Sequence, residues 1–427
     1  MDNDSKITPV TANDSERRIT FKDTFASLAY RDFVWLWLGQ ITHAFALWVD
    51  QVAKPLLILS LTGSPVHLGM VLVARTVPAV GFGLIAGVIA DNFNRRLVLL
   101  ITKWVVLGLS IAFAALVVSG YMELWHIYAY NVARGATMAF DQPARRAMIP
   151  SIVPAHLVTN AMALSTGSMT ATRIAGAAGA GLLISFAGFG GAYVTMAFMY
   201  VGAVFFTWML KPPDHERSGY QGIHSMGNDL VDGLKYSWRT PDIRGVLIIS
   251  IGWFTFGMAF MQVFAPLFAV QILDIGYEGF GYMVSVSAIG GLAGALALAA
   301  TNPSRNRGKI MLILLIIFGV LLITFSASTY LLSVPLAFAM MLLLGAGQSC
   351  FFPLINAVLV EKAQENMRGR VLGVLSLDRA TTTLGGALAG FSAAAFGAQI
   401  SQILFGAGII ITAVIMFVVY PPLRRIQ

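Results

Sequence analysis

The residues of this chain that could do chemistry are charges set inside apolar runs. His43, Asp50 and Lys54 are spaced by seven and four, so one stripe of a helix over this stretch carries all three. Arg134, Asp141 and Arg145 repeat that spacing, Arg75 and Arg173 stand alone in other apolar runs, and Asp378 and Arg379 are adjacent near the C-terminus. Two kinds of chemistry follow. Burial disfavours a carboxylate and a nearby cation favours it, so a cycle that moves the cation away takes up and releases a proton. Asp50 is the first candidate for that role; a permanent Asp50–Lys54 pair at i, i+4 is the alternative, and it needs no function. His43 is the second candidate, because an imidazole titrates near working pH, against an ordinary hydrogen-bonded histidine. Asp141 is the third. The other chemistry is anion coordination. Lys54, Arg75, Arg134 and Arg173 face only Asp50 and Asp141 in the first half of the chain. An excess of buried positive charge is costly unless an anionic group offsets it. A ligand with a carboxylate, phosphate, sulfonate or catecholate group is therefore expected.

The elements that hold these charges must sit in lipid. The chain has 427 residues, 57% hydrophobic and 11% charged, with a mean hydropathy of +0.76; soluble proteins carry about a quarter charged residues. A spanning helix needs roughly 20 mostly apolar residues. Such segments lie near 33–61, 68–90, 97–119, 124–149, 157–186, 191–210, 243–272, 280–300, 310–328, 331–360, 371–396 and 400–420. Hydrocarbon demands internally satisfied backbones, so an all-α membrane protein of twelve transmembrane helices is expected. The first helix is expected to act as its own insertion signal, since residues 1–20 are polar. The lone Cys350 excludes an intrachain disulfide and a multi-cysteine metal site, and no metal or cofactor is expected. No polar connection is long enough for a catalytic domain, and no phosphate-loop motif occurs, so neither an enzyme nor an ATP-driven pump is expected.

Of the 28 Lys and Arg residues, all but Lys54, Arg75, Arg134, Arg173 and Arg379 fall in or beside alternate connections. The opposite connections, 62–67, 120–123, 188–190 and 273–279, contain none. This asymmetry predicts that both termini are cytoplasmic. It also accounts for the net charge of +8 without nucleic acid. Residues 1–32 read as a mobile cytoplasmic arm with an interfacial end. Residues 33–210 and 243–427 read as two six-helix bundles, the second with a short tail. Between them, 211–242 reads as a cytoplasmic linker with a short surface helix around Asp229 to Trp238.

The two bundles repeat. At an offset of 210, Gly69 falls on Gly279, Gly81 on Gly291, Asn92 on Asn302, Arg95 on Arg305, Gly135 on Gly345, Pro143 on Pro353, Ala147 on Ala357 and Gly176 on Gly386. Asp91 does not recur; Thr301 replaces it.

One loop and several longer runs point to a family. Gly87, Asp91, Arg95 and Arg96 lie in a short polar tip between two spans. They resemble the loop signature of the major facilitator superfamily, with Asn92 and Asn94 where that family often carries Arg and Gly. The runs starting Phe140-Asp-Gln-Pro-Ala-Arg-Arg and Met367-Arg-Gly-Arg-Val-Leu-Gly-Val, with Leu61-Thr-Gly-Ser-Pro and Gly233-Leu-Lys-Tyr, resemble the branch that contains the enterobactin exporter and related efflux proteins. The likeness implies two six-helix bundles with a site between them. It also implies secondary transport of a small molecule without ATP, and export coupled to protons by antiport, in the inner membrane. A monomer is the expected state.

The resemblance further implies that Asp91 caps the helix after Arg370 and locks one state, as a carboxylate at a helix N-terminus can. The alternative is that Arg95 and Arg96 only mark topology. The family's first and fourth helices line its cavity, as do its seventh and tenth, which carry Gln262, Gln348 and Asn356 here. Those three either orient cargo or bond neighbouring helices. Trp253, Phe254, Phe256, Phe351 and Phe352 either grip an aromatic ring or pack. Arg134 matches the family's fourth-helix Arg imperfectly, because Gly135 follows it directly. The Gly176–Gly181 run lacks the antiporter proline and reads as close helix packing. Other functions open to the same fold are lipid or lysolipid flipping and uptake; a non-transporting membrane sensor is the alternative of another class.

Overall fold

The computed structural model describes residues 25–92, 94–211, 223–301, 306–331, 333–424 and 426, with side chains for all of these except 84–92, 146–147, 223–230 and 379. Among the described residues every regular element is helical. In chain order they are α1 (Arg31–Thr62), α2 (Pro65–Asn92), α3 (Arg95–Ser119), α4 (Leu124–Ile152), α5 (Val158–Met209), α6 (Ile223–Arg239), α7 (Pro241–Gly252), α8 (Gly276–Thr301), α9 (Arg307–Tyr330), α10 (Val334–Lys362), α11 (Arg368–Leu375), α12 (Asp378–Phe396) and α13 (Ala398–Val419). The axis of α7 continues through π-helical turns at Trp253–Gly257, Phe260–Phe264 and Phe268–Ile272. Among the described residues nine helical stretches are long and apolar enough to cross a membrane. One of them, Ala155–Met209, contains α5, which breaks at Gly188 with φ 66°. That left-handed φ is open to glycine and reverses the chain between two antiparallel arms.

The helix ends are set by local chemistry. Gly63 at φ 61° and Gly120 at φ 76° stop α1 and α3 in the left-handed conformation. Asn94 caps α3, its side-chain oxygen accepting from the backbone N–H groups of Arg96 at 3.0 Å and Leu97 at 3.3 Å. Glu123 and His126 form a capping box at the start of α4. The segment before α1 is docked: Ser27 is fully buried and its hydroxyl donates to Asn160 Oδ1 at 2.6 Å. Only residues 1–24 of the expected arm lie outside the described residues.

Two glycines related by the 210-residue offset both lie at close helix crossings. A Cβ on Gly135 would fall on the carbonyl oxygen of Arg75 in α2, and one on its repeat partner Gly345 would fall on that of Ser287 in α8. Small residues at these crossings let the backbones meet, which in lipid is the main source of helix attraction. Asn302 and Arg305, the repeat partners of the loop tip, lie outside the described residues.

The halves meet along α2 with α12 and along α5 with α8, in pseudo-twofold relation. A Cβ on Gly69 would fall on Gly386 O, and one on Gly281 would lie 2.6 Å from Ala177 O. From the end of the bundle that carries Gly63 and Gly276 inwards, the cross-half contacts among the described residues include Gln271 to Gly63 O at 3.3 Å, the rings of Phe189 and Tyr277 at 5.2 Å, Ser285 to Ile174 O at 2.8 Å and Thr383 to Thr76 at 2.7 Å. α6 docks on the second half. Asp232 pairs with Arg370 at 3.8 Å, Tyr236 accepts from the N–H of Gln364 at 3.2 Å, and a Cβ on Gly233 would lie 2.7 Å from Arg370 O. Two of the runs that carried the family resemblance thus touch each other.

Candidate functional site

A cavity of about 380 Å³ lies between the halves. Each half contributes walls: Trp48 and Lys54 from α1, Arg75 from α2, Asn131 from α4, Arg173 from α5, then Met258 and Gln262 from the π-helical continuation of α7 and Gln348 from α10. A second space of about 230 Å³ shares Arg75, Met258 and Gln262 with the first and reaches Asp378 and Thr383. Of the sequence candidates, Lys54, Arg75, Arg173, Gln262 and Gln348 therefore share one cavity.

The cations are held in different ways. The Lys54 ammonium donates to Asp50 Oδ2 at 2.6 Å, with both side chains almost fully buried, and lies 5.6 Å from the centre of the Tyr130 ring. The other oxygen of Asp50, Oδ1, is buried and accepts no hydrogen bond. Arg173 stacks on Trp48, its guanidinium carbon 5.2 Å from the ring centre, with Nε buried and unpartnered. No carboxylate among the described residues lies within ion-pair distance of Arg173. The π-helical turns matter here: a widened turn displaces side chains relative to a regular helix, and such turns recur at functional sites. They bring Met258 and Gln262 to the cavity, while Gln262 Oε1 finds no partner and Gln348 donates to the Met258 sulfur at 3.3 Å.

The stripe His43–Asp50–Lys54 is split between two places. His43 and Asp141 belong with Arg134 and Arg145 to a separate, much smaller space inside the first half, about 40 Å³. There Lys103 donates to Asp141 Oδ1 at 2.5 Å and lies 3.0 Å from His43 Nδ1, while Arg145 Nε lies 4.0 Å from Asp141 Oδ2. Two expectations need correction. Arg134 does not line the central cavity: its Nη2 donates to the Tyr200 hydroxyl at 2.7 Å and its guanidinium sits 5.3 Å over that ring. Asn356 is not among the cavity's wall residues; its amide donates to Phe352 O one turn back along α10, at 3.0 Å.

Most of the aromatic candidates pack. Trp253 packs tilted against Phe318 at 4.4 Å and Phe351 at 4.5 Å, and Phe256 meets Phe405 edge-on at 5.4 Å. Phe254 borders the second space and sets its edge against Phe352 at 6.2 Å.

The loop tip is described only in part. At Gly87 and Asp91 only the helical backbone is described, not the Asp91 side chain. Arg95 opens α3, and Arg96 Nη2 donates to Trp208 O at 2.7 Å, tying the loop to the end of α5. The side chain of Arg379 is likewise outside the described residues.

Sequence reasoning missed Lys103 and Trp48. Lys103 reads as the last charge of a basic loop, yet it lies two helical turns beyond Arg95, deep enough to be 4% exposed. That position was the available signal. Trp48 carried none beyond its helical spacing from Lys54. Tyr130 and Tyr200, which pair with the cations, were likewise indistinguishable from core aromatics.

Comparison with known proteins agrees with this architecture. The family model described as transmembrane secretion effector matches residues 22–426. The multidrug efflux pump Tap of Mycolicibacterium fortuitum is 27% identical over 396 residues, which are 89% of this chain and 93% of that protein. The staphyloferrin A transporter of Staphylococcus aureus is 23% identical over 362 residues, 82% of this chain and 86% of that one. Among solved structures, a POT family transporter in complex with 5-aminolevulinic acid superposes with a TM-score of 0.74 at 11% identity, covering 92% of this chain and 97% of that one, and shows the shared fold. Two helical halves around a charge-lined cavity, matched over nearly their whole length by one family, identify the chain as a member of the transmembrane secretion effector family of the major facilitator superfamily, a multi-pass membrane transporter and not an enzyme.

Proposed function

We propose that the chain exports a small organic anion, siderophore-like or drug-like, across the cytoplasmic membrane by alternating access, with a proton linked to the cycle. The observation that carries this reading is the cavity between the halves, with Lys54, Arg75 and Arg173 in its walls. Three cations meet one carboxylate at the cavity, Asp50 behind Lys54, and a second, Asp378, in its continuation. An anion that entered would relieve the imbalance. The resemblance to a multidrug efflux pump supports export, and the resemblance to a staphyloferrin A transporter supports a siderophore-like cargo.

In this reading twelve spans cross the membrane. α5 supplies two of them through its break at Gly188, and the charge-bearing α4 and the α11–α12 pair supply two more beyond the nine apolar stretches. Both termini face the cytoplasm in this reading, which the Lys and Arg distribution supports. The Gly63 end is then the outer end, and the cross-half contacts from Gln271 with Gly63 to Ser285 with Ile174 support a state closed at that end. Asp50 is the coupling carboxylate, and Asp91 with Arg95 and Arg96 forms the gate at the inner face. One chain suffices for the cycle.

The test is flux in proteoliposomes, screened over carboxylate, sulfonate and catecholate compounds and over cationic dyes. Anions should move, and Lys54→Met and Arg173→Met should each reduce their transport at least tenfold. Transport confined to cations would overturn the reading.

A further inference from the structure

The linker helix α6 has one side committed to the second half and one side exposed. Gly233 and Ser237 are buried, and Asp232 and Tyr236 bond Arg370 and Gln364 beside them. The exposed side carries Val231, Leu234 and Trp238, at 49%, 50% and 62% exposure, spaced by three and four and so on one stripe. Lys235 and Arg239, also exposed, flank it. An exposed apolar stripe beside cations, next to spanning helices, is the pattern of a helix lying in the membrane interface.

A groove runs from this stripe along the spanning helix α7. It is a space of about 180 Å³, with Leu234 and Trp238 of α6, Arg244 and Ile251 of α7, and Val374 before α12 in its walls. Arg244 stands in the first turn of α7, at the level where a spanning helix meets the membrane surface. Its guanidinium lies 5.8 Å from the ring centre of Trp238 and 5.3 Å from that of Tyr420, and Nε donates to the Tyr420 hydroxyl at 3.0 Å. Nη1 donates to Trp238 O at 3.4 Å. Among the described residues Nη2 makes no hydrogen bond, and no carboxylate lies within ion-pair distance of Arg244. A guanidinium pinned by two rings and a hydroxyl, with donors left over, is suited to a phosphate. Trp and Tyr are at home at headgroup level. Asp378 borders the groove's far end, so an anionic headgroup belongs at the Arg244 end.

The repeat supplies an internal comparison. At the offset of 210, Ile41, Leu164 and Ala171 fall on Ile251, Val374 and Thr381, and they line a matching space of about 590 Å³ between α1 and α5. The groove is thus a property of the fold, repeated in each half. Its mouth is not repeated. Val34 stands where Arg244 does, and Leu28 where Trp238 does. The described walls of the first-half groove carry no charged side chain.

We propose that the second-half groove seats one anionic phospholipid, with its phosphate on Arg244 and one acyl chain running along α7 past Ile251. Lys235 and Arg239 add attraction for a headgroup of net negative charge. A choline headgroup brings a cation of its own, which these three residues repel. The seated lipid bridges α6 to α7 and so holds the linker helix in the position that Asp232 and Tyr236 also secure. The inference is independent of cargo and of the direction of transport.

The experiment uses the purified full chain in a neutral detergent with equal amounts of phosphatidylglycerol and phosphatidylcholine of the same acyl chains. Native mass spectrometry counts the lipids retained. One phosphatidylglycerol per chain should be kept, with at least about a fivefold preference, the worth of one cation at a membrane surface. Arg244→Gln should abolish the preference. Ile251→Trp, which fills the groove and leaves every cation in place, should abolish it as well. Ile41→Trp, the equivalent change in the first half, should leave it intact. Equal retention of the two lipids by the unmodified chain overturns the inference, and so does a preference that survives either Arg244→Gln or Ile251→Trp. Loss in Ile41→Trp overturns the assignment to the second half. Release of the lipid by millimolar glycerol 1-phosphate marks a site for a soluble phosphate and overturns the lipid reading. Where Arg244→Gln fails to fold, the contrast between Ile251→Trp and Ile41→Trp decides.

Discussion

Replacing Gly281 by Val should shift the transporter away from the state described above. An ideal Cβ at Gly281 lies 2.6 Å from Ala177 O and 3.0 Å from the Cα of Gly181 in α5, where ordinary van der Waals contact begins at 3.4 Å. α5 and α8 must therefore separate by about 0.8 Å for a β-carbon alone, and further for the two methyl groups of Val. Neither obstructing atom is a side-chain end that could swing aside; both are helix backbone. Overpacking of this kind costs about 1–3 kcal/mol. The cost falls only on conformers in which the outer ends of the two helices touch. An equilibrium between inner-open and outer-open states should consequently move about 5- to 150-fold towards the outer-open form. Spin labels at Tyr121→Cys and Leu331→Cys would report it. Both residues are exposed, at 76% and 74%, one on each half at the Gly63 end. The native Cys350 is replaced by Ser in the labelled chain. The longer of the two inter-label distances should gain population, and flux should fall. Gly69→Val, at the pseudo-symmetric contact of α2 with α12, should behave alike. An unchanged distance distribution with unchanged flux in Gly281→Val would refute the idea that this glycine contact closes the outer end.

Other expectations are more local. Lys103→Met or Asp141→Asn alone leaves a buried charge without its main partner and should cost about 3–5 kcal/mol of stability, with much of it restored in the double variant; thermal unfolding in detergent reads this, and single variants as stable as the parent would contradict it. Arg173→Lys keeps the charge but loses the flat face on Trp48. With about 1–2 kcal/mol at stake for a desolvated cation over a ring, aromatic anions should bind about five- to thirtyfold more weakly, and an unchanged affinity would exclude Arg173 from the site. Gly233→Val should push α6 off Arg370, speeding protease cleavage near the linker and slowing flux while sulfonate binding is retained; slowed flux with unchanged cleavage would point away from the linker helix.

The all-helical, lipid-facing character and the family were legible in the chain, because hydrocarbon solvent imposes long apolar runs and confines most arginines and lysines to alternate connections. The helix ends were legible only to within a few residues, and Gly63 and Asn94, which set two of them, were not singled out as caps. The cavity was legible in part. Lys54, Arg75 and Arg173 stand out in any apolar run, and a buried cation must face something polar. Which cation faces which neighbour was not legible. Arg134 and Lys54 are equally conspicuous in the sequence, yet one is taken up by Tyr200 inside its own half and the other looks into the space between halves. Lys103 was hidden for the opposite reason: it sits near enough to a basic loop to pass for part of it.

What the sequence by itself determined is thus one-dimensional: which stretches must lie in lipid, where they end to within a few residues, and that charges are buried among them. Tertiary structure decided the pairing, because rotation about each helix axis and the crossing of one helix over another are set by side chains distant in sequence, Gly281 against Ala177 and Gly69 against Gly386 among them. It also decided that His43 and Lys54, on one stripe of one helix, serve separate sites. A stripe eleven residues long rises about 16 Å, far enough for its two ends to meet different neighbours, and no spacing rule carries that information.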